Sequence, residues 1–301
     1  MSFSRRFGFL FSIVLCVSLN DLTAQSKVDQ ITFGSRMDSP IKIEVTKDKS
    51  RLRFDCLNRS YFPYEVVLNF SSLENLNPRI LEIRKIAFPG MNVFQTFEIA
   101  DPAISYGFKY STEYRIGNPT VKADHFYPYL IPLGQNRNVD FETVIDPGRT
   151  TKMINNFVML EGDTLFSVRK GIVTSTTKPD IINDRIFREP GLEIIHADGS
   201  VAVFTGLNDA TILIKEGAKV FPCQPLAYLK SKSIVKLYIF EILGEGIISS
   251  FPFLYSNDDN NVIQMSQING LTVNHPKEII EKEFTKSELK KAMKGTLYKL
   301  K

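Results

Sequence analysis

Between Gly162 and Ile242 the chain runs in short alternating stretches of apolar and polar residues: GDTLFSVRKGIVTS, LEIIHADGSVAVFTGL, IKEGAKVFPCQPLAYL and KLYIFEI. Gly, Asp-Gly and Glu-Gly turns part them, and a period of two with glycine punctuation predicts strands crossing a compact sheet. The same alternation occurs earlier, in IKIEVTKD, RLRFDCLN, YEVVLNFSSL, RILEIRKIAF, VFQTFEIA and ISYGFKYSTEYRIG. Helical spacing is confined to the last stretch, where Ile279, Ile280, Phe284, Leu289 and Met293 recur among charges. Thr285, Ser287 or nearby Glu residues cap or interrupt it there, so one helix or two short ones are predicted.

The fold class that follows is mainly β with a short helical tail. About seven short strands between Lys27 and Pro119 predict a small sandwich of immunoglobulin-like type. The passage His125 to Gly134, rich in Tyr, Phe and Pro, reads as the linker into a second domain. Its rings either seal the seam between domains or form a platform for stacking a sugar or docking a peptide. The expected boundaries are a leader over 1–24, a β-domain over 25–119, a linker over 120–135, a second β-domain over 136–255 and an extension with helix over 256–301.

Composition changes this picture little. At 301 residues the chain can bury two ordinary cores without help from metal or disulfide. Its 23 Phe and 11 Tyr against no Trp favour β structure. Arg5 and Arg6 precede an apolar run from Phe7 to Leu19, and Leu22-Thr23-Ala24 follows, which is the layout of a secretory signal cleaved after Ala24. A run of about 13 apolar residues is short for a membrane span, so none is expected after cleavage. The expected location is outside the cytoplasm: periplasmic, cell-surface or secreted. Without the leader the chain keeps 35 basic and 32 acidic side chains, which is no nucleic-acid footprint. Cys56 and Cys223 remain and read as two buried thiols rather than a bridge.

The order and spacing of the pieces from Gly162 to Ile242 resemble the lysostaphin or LytM-type zinc endopeptidases, whose domain cuts peptidoglycan cross-bridges. The Asn58 to Pro63 corner and Glu74-Asn75-Leu76 are similar to the β-domain that precedes that peptidase-like domain in exported bacterial relatives. The resemblance implies zinc held by a His, an Asp and the second His of a His-x-His strand, with two further histidines assisting the activated water. Zinc chemistry needs imidazole or carboxylate ligands and an open position for water. Here Asn156 stands at the Asp position, and Asp146 to Met153 holds no His where the first ligand belongs. Gly206 replaces an assisting His, while Leu237 and Ile239 replace both histidines of the late strand. By strand alternation Leu237 and Ile239 share one face, which has become apolar. What remains matching is Gly162, Gly171, Asp198-Gly199, Gly217 and Phe240-Glu241, which serve turns and packing.

The expectation is therefore a pseudoenzyme: an exported, non-catalytic LytM-like binding or regulatory module of the cell envelope, with no cofactor. Its expected partner is a peptidoglycan peptide or an envelope protein such as a hydrolase, met in a groove near Asn156, Gly206, Tyr238 and Ile239, with His196 as a further contact. Two alternatives stand beside it. One is an active zinc endopeptidase with a displaced site using His196 or His275, and the other is a structural surface protein that binds through its first β-domain. The basic stretch from Lys290 to Lys301 reads as a solvated face or as a contact for an acidic partner.

Overall fold

The structure is a computed structural model, and it describes residues 39–146, 152–177, 180–182, 185–188, 190–243, 246–258, 262–295 and 297. The expected leader and most of the stretch where a first zinc ligand would lie fall outside them. In the first half, alternation builds seven strands: β1 (Ile41–Asp48), β2 (Arg51–Asn58), β3 (Tyr64–Glu74), β4 (Leu76–Asn77), β5 (Glu82–Ala87), β6 (Gly90–Ile99) and β7 (Gly107–Ile116). They form two antiparallel sheets, ordered β1-β2-β6-β4 and β5-β3-β7. Leu52, Phe54 and Cys56 of β2 turn inward to meet Val66, Leu68 and Phe70 of β3. Phe54 stands edge-on to Phe70, Phe97, Phe108 and Tyr110 at centroid distances of 5.3, 5.5, 5.2 and 5.6 Å. Such edge contacts add about 0.5–1.5 kcal/mol each beyond burial, so this ring cluster pins the two sheets together.

The second half holds β8 (Pro128–Leu130), β9 (Phe141–Asp146), β10 (Lys152–Met159), β11 (Thr164–Phe166), β12 (Gly171–Thr177), β13 (Asp180–Ile182), β14 (Arg185–Arg188) and β15 (Gly191–Ile195). There follow β16 (Val201–Thr205), β17 (Ala210–Ile212), β18 (Lys219–Val220), β19 (Pro225–Leu229), β20 (Ser233–Ile242), β21 (Ile248–Ser250), β22 (Leu254–Ser256) and β23 (Val262–Gln264). The main sheet is antiparallel in the order β18-β12-β15-β16-β20-β10-β9, with β21 added beside β20. A second sheet, β11-β19-β17, shares its core. Mainly β structure is thus what the alternation predicts.

The passage expected as a linker is more than that. Pro128–Leu130 pairs in parallel with β22, and Tyr129, Leu130 and Ile131 are fully buried. Tyr129 packs against Phe253 at 5.2 Å, so the entry and the exit of the second half close on each other. The expected extension folds back as well: Val139 N–H donates to Leu271 O and Val273 N–H to Arg137 O, both at 2.8 Å. Two short helices follow, α1 (Lys277–Glu281) and α2 (Lys286–Met293). Thr285 caps α2 by accepting from Glu288 N–H while Glu288 accepts from Thr285 N–H, the reciprocal pattern that stabilises a helix start. Among the described residues no helix is long and apolar enough to cross a membrane. Cys56 and Cys223 are free thiols.

All described residues belong to one compact body, Phe33–Lys301. Its halves meet at a small core of Phe62, Val201, Val203 and Phe240. Gly217, at φ +77°, comes so near the ring of Tyr61 that a Cβ would stand 2.4 Å from it. The seam is therefore tight at its edges.

Candidate functional site

Strand β20 carries the two positions, Leu237 and Ile239, at which the resemblance implies histidines. It lies between β16 and β10, with Leu237 opposite Phe204 on one side and Asn155 on the other, and Ile239 opposite Ala202. Opposed residues in antiparallel pairs share a face. Leu237 and Ile239 are 0% and 1% exposed and sit in the large core with Phe157, Phe204 and Tyr255. The Phe157 and Tyr255 rings meet at 6.3 Å, so the segment around β22 covers this face. Two branched hydrocarbon side chains under aromatic rings offer no lone pair to a metal. The residues present do not fit zinc.

The other singled-out positions do not gather around Ile239. Asn156 pairs with Lys236, so it lies on the opposite face from Leu237 and Ile239, alongside Tyr238. Its Oδ1 is buried without a hydrogen-bond partner. The amide that enters the core face is its neighbour Asn155, whose Nδ2 donates to Leu237 O at 3.4 Å. Gly206 has φ +83°, and a Cβ there would stand 2.2 Å from Ile234 O. This backbone admits no histidine at that place. Tyr238 opposes Val203 and packs on the seam side, with Phe240 stacked 6.5 Å away. The expected groove of Asn156, Gly206, Tyr238 and Ile239 is thus divided between two faces of one sheet.

Each histidine has a separate structural role. His125 Nε2 meets Glu241 Oε1 at 3.1 Å, and its ring stacks on Phe251 at 4.1 Å. His275 Nε2 lies 3.0 Å from Ile131 O, and burial lowers its pKa. His196 Nδ1 lies 2.9 Å from Lys170 O. A carbonyl only accepts, so the proton sits on Nδ1 and Nε2 carries the lone pair. Burial first, and then the charge of Arg169, push the His196 pKa down to about 3. Among the described residues no three His, Cys, Asp or Glu side chains are grouped to hold a metal ion.

A charged cluster that the sequence did not single out lies beside His196. Arg169, in the turn before β12, has a side chain only 4% exposed. It donates to Asp198 Oδ2 at 2.8 Å and to Glu283 Oε1 at 2.7 Å, and its guanidinium lies 3.6 Å over the Tyr127 ring. Ser200 Oγ donates to Asp198 Oδ1 at 2.7 Å, so at 3.0 Å Tyr129 O–H donates to Ser200. Burial raises the Asp198 pKa, but the charge and hydrogen bond of Arg169 outweigh it and hold the carboxyl at about 2. Lys170 reaches Glu288 Oε2 at 2.8 Å, and Lys219 pairs with the other oxygen. Arg169 and Lys170 together fasten the segment from Glu283 to Glu288 onto the turn before β12.

This cluster forms one end of a pocket of about 680 Å³ at the seam. Tyr61 and Phe88 of the first half form one wall, and Ile172, Ile195 and Leu243 of the second half form the other. The connection Gly117 to Ala123 crosses between them. Of the residues singled out from sequence, His196 lines this pocket together with Gly171, Asp198, Gly199 and Glu241; Asn156, Gly206, Leu237, Tyr238 and Ile239 do not. A volume of this size, mostly apolar with a few fixed polar groups, is the usual form of a small-molecule site. No chemical signal in the sequence could have found it, because its walls come from segments up to 182 residues apart, from Tyr61 to Leu243.

No protein-family model matches the chain, and no curated protein matches it either. Among solved structures it is similar to Helicobacter pylori Csd3 in an orthorhombic crystal, with 10% identity and a TM-score of 0.28 over 86% of this chain and 78% of that one. The hexagonal crystal form of Csd3 gives the same identity and TM-score over 85% and 77%. Likeness at that level carries no functional argument, and the site must be read from its own residues.

Proposed function

We propose that the chain is an exported, non-catalytic binding or regulatory module of the cell envelope, whose partner is a peptidoglycan peptide or an envelope protein. One observation carries this reading: the positions where the resemblance to LytM-type enzymes implies histidines are Leu237 and Ile239, both closed into the hydrocarbon core. Gly206, where no side chain fits, supports it from an independent strand end. A scaffold hosts function through its sites rather than its topology, and the open site of this molecule is the seam pocket rather than the former metal face.

The test uses the purified secreted chain. It should sediment with peptidoglycan sacculi or retain a defined envelope protein, and should carry far less than one zinc per chain by elemental analysis. Stoichiometric zinc together with cleavage of a cell-wall substrate would overturn the reading in favour of a displaced metallopeptidase site. Failure of both sacculus binding and partner capture would overturn it as well.

A further inference from the structure

We propose that Arg169, Lys170 and Lys219 form a docking site for an acidic segment of a partner protein, and that this chain's own strip from Glu283 to Glu288 occupies it as a competitor. This deepens the preceding proposal by giving the partner's chemistry, and it rests on the reading of the chain as a binding module. The site shows in what it already holds. Glu283 Oε1 accepts two hydrogen bonds from the Arg169 guanidinium, at 3.1 and 2.7 Å, and the Glu283 backbone carbonyl accepts from Lys170 Nζ at 2.6 Å. Further along, Glu288 divides its carboxylate between Lys170 and Lys219. Apart from the strip, the one carboxylate paired with these three cations among the described residues is Asp198. The other two arrive with the strip, so the site is neutral while the strip is seated and keeps an excess of positive charge when it lifts. Lys282, over the Tyr127 ring at 4.6 Å, leaves with the strip. A segment presenting carboxylates spaced like Glu283 and Glu288 complements what remains.

The strip is held in a way that lets it lift. Helix α1 buries no residue and α2 buries only Glu288, and no side chain from Lys277 to Met293 joins an apolar core. Phe284 adds one edge contact to Phe221 at 5.6 Å. A segment with so few apolar contacts opens well before the fold as a whole. Its fit is also incomplete. Both bonds from Arg169 go to the same oxygen, and Glu283 Oε2 stays buried with no hydrogen-bond partner, as does the Tyr127 hydroxyl. A carboxylate free to turn gives one oxygen to each guanidinium nitrogen, so a partner can hold Arg169 better than the strip does. Lys170, Lys219, Asp198 and Glu283 all line the seam pocket, which gives an incoming segment its approach.

The experiment titrates the full mature chain, by isothermal calorimetry at low salt, with an acetylated and amidated peptide that copies residues 281–289. The wild-type chain should bind it weakly. Glu283→Gln with Glu288→Gln in the chain should tighten binding at least about tenfold, because the competitor has lost its carboxylates. The same peptide with glutamine at those two places should not bind that variant, and adding Lys170→Glu and Lys219→Glu to the chain should abolish binding of the acidic one. Hydrogen exchange on the wild-type chain needs no variant: amides of α2 should exchange at least about a hundredfold faster than those of β16 and β20, and faster still in concentrated salt. Absence of saturable binding, equal affinity of wild type and double variant, equal binding of the glutamine peptide, or α2 amides that exchange only with the whole fold would overturn the proposal. If the peptide fails while the wild-type chain still sediments with sacculi or retains an envelope protein, the acidic-segment site falls and the binding-module reading stands. Zinc with cell-wall cleavage sinks that reading whatever the peptide does.

Discussion

A guanidinium that is 4% exposed stays folded in only because two carboxylates and an aromatic face surround it. Removing one member of such a buried set leaves the others charged and unpaired, which typically costs about 3–5 kcal/mol. Arg169→Met should therefore lower stability to urea by that order, and adding Asp198→Asn and Glu283→Gln should recover part of the loss. His196 makes a second prediction. Its folded pKa of about 3 lies below the ordinary 6.5, so between those values the unfolded chain binds a proton that the folded one refuses. Its contribution is complete above pH 6.5 and falls as the pH drops towards 3. At about pH 4.5 the loss from this group approaches 2–3 kcal/mol, and His196→Gln should flatten that limb of the stability curve in urea titrations at several pH values. At the same scale lies the limit of reading faces from sequence. Asn155 and Asn156 are identical in type and adjacent, and the resemblance points to Asn156; register with β20 puts Asn155 on the core face. Alternation tells which residues share a face but not which face is inside, so a shift by one residue cannot be seen from the sequence.

At the level of elements the alternation reads well. Val235, Leu237 and Ile239 of β20 share the core face, and Tyr238 and Phe240 the seam face, as a period of two requires. Gly162, Gly199 and Gly217 take positive φ of +86, +82 and +77°, in keeping with their reading as turns. The tail resolves into two helices because Thr285, extended at φ −69° and ψ 160°, starts α2 rather than continuing α1. Local chemistry settles such features, which is why they were legible. Strand β20 does not readily accept histidines at these places: Leu237→His with Ile239→His would bury two imidazoles in the core of Phe157, Phe204 and Tyr255. The double variant should lose at least about 4 kcal/mol by chemical denaturation, and dialysis against zinc should leave it metal-free.

Across the whole molecule, the seam combines a small shared core with close approaches. Gly217→Ala would drive a methyl into the Tyr61 ring. It should cost about 1–3 kcal/mol, measured as a lower thermal midpoint, and the loss should shrink when Tyr61→Ala removes the obstacle. That non-additivity separates crowding at the seam from strain in the turn itself. Neither the seam nor its pocket was legible beforehand, since both arise from how the halves meet and no short-range pattern encodes that.

Arg169 and Glu283 stand 114 residues apart, and Gln135 and His275 140 apart, yet each pair is in hydrogen-bond contact. In a chain made from its N-terminus, Asp198 is synthesised well before Glu283, the second carboxylate of the set. The fold is thus latched by the last-made strip of sequence, so truncation ahead of Glu283 removes one of the two carboxylates that hold Arg169.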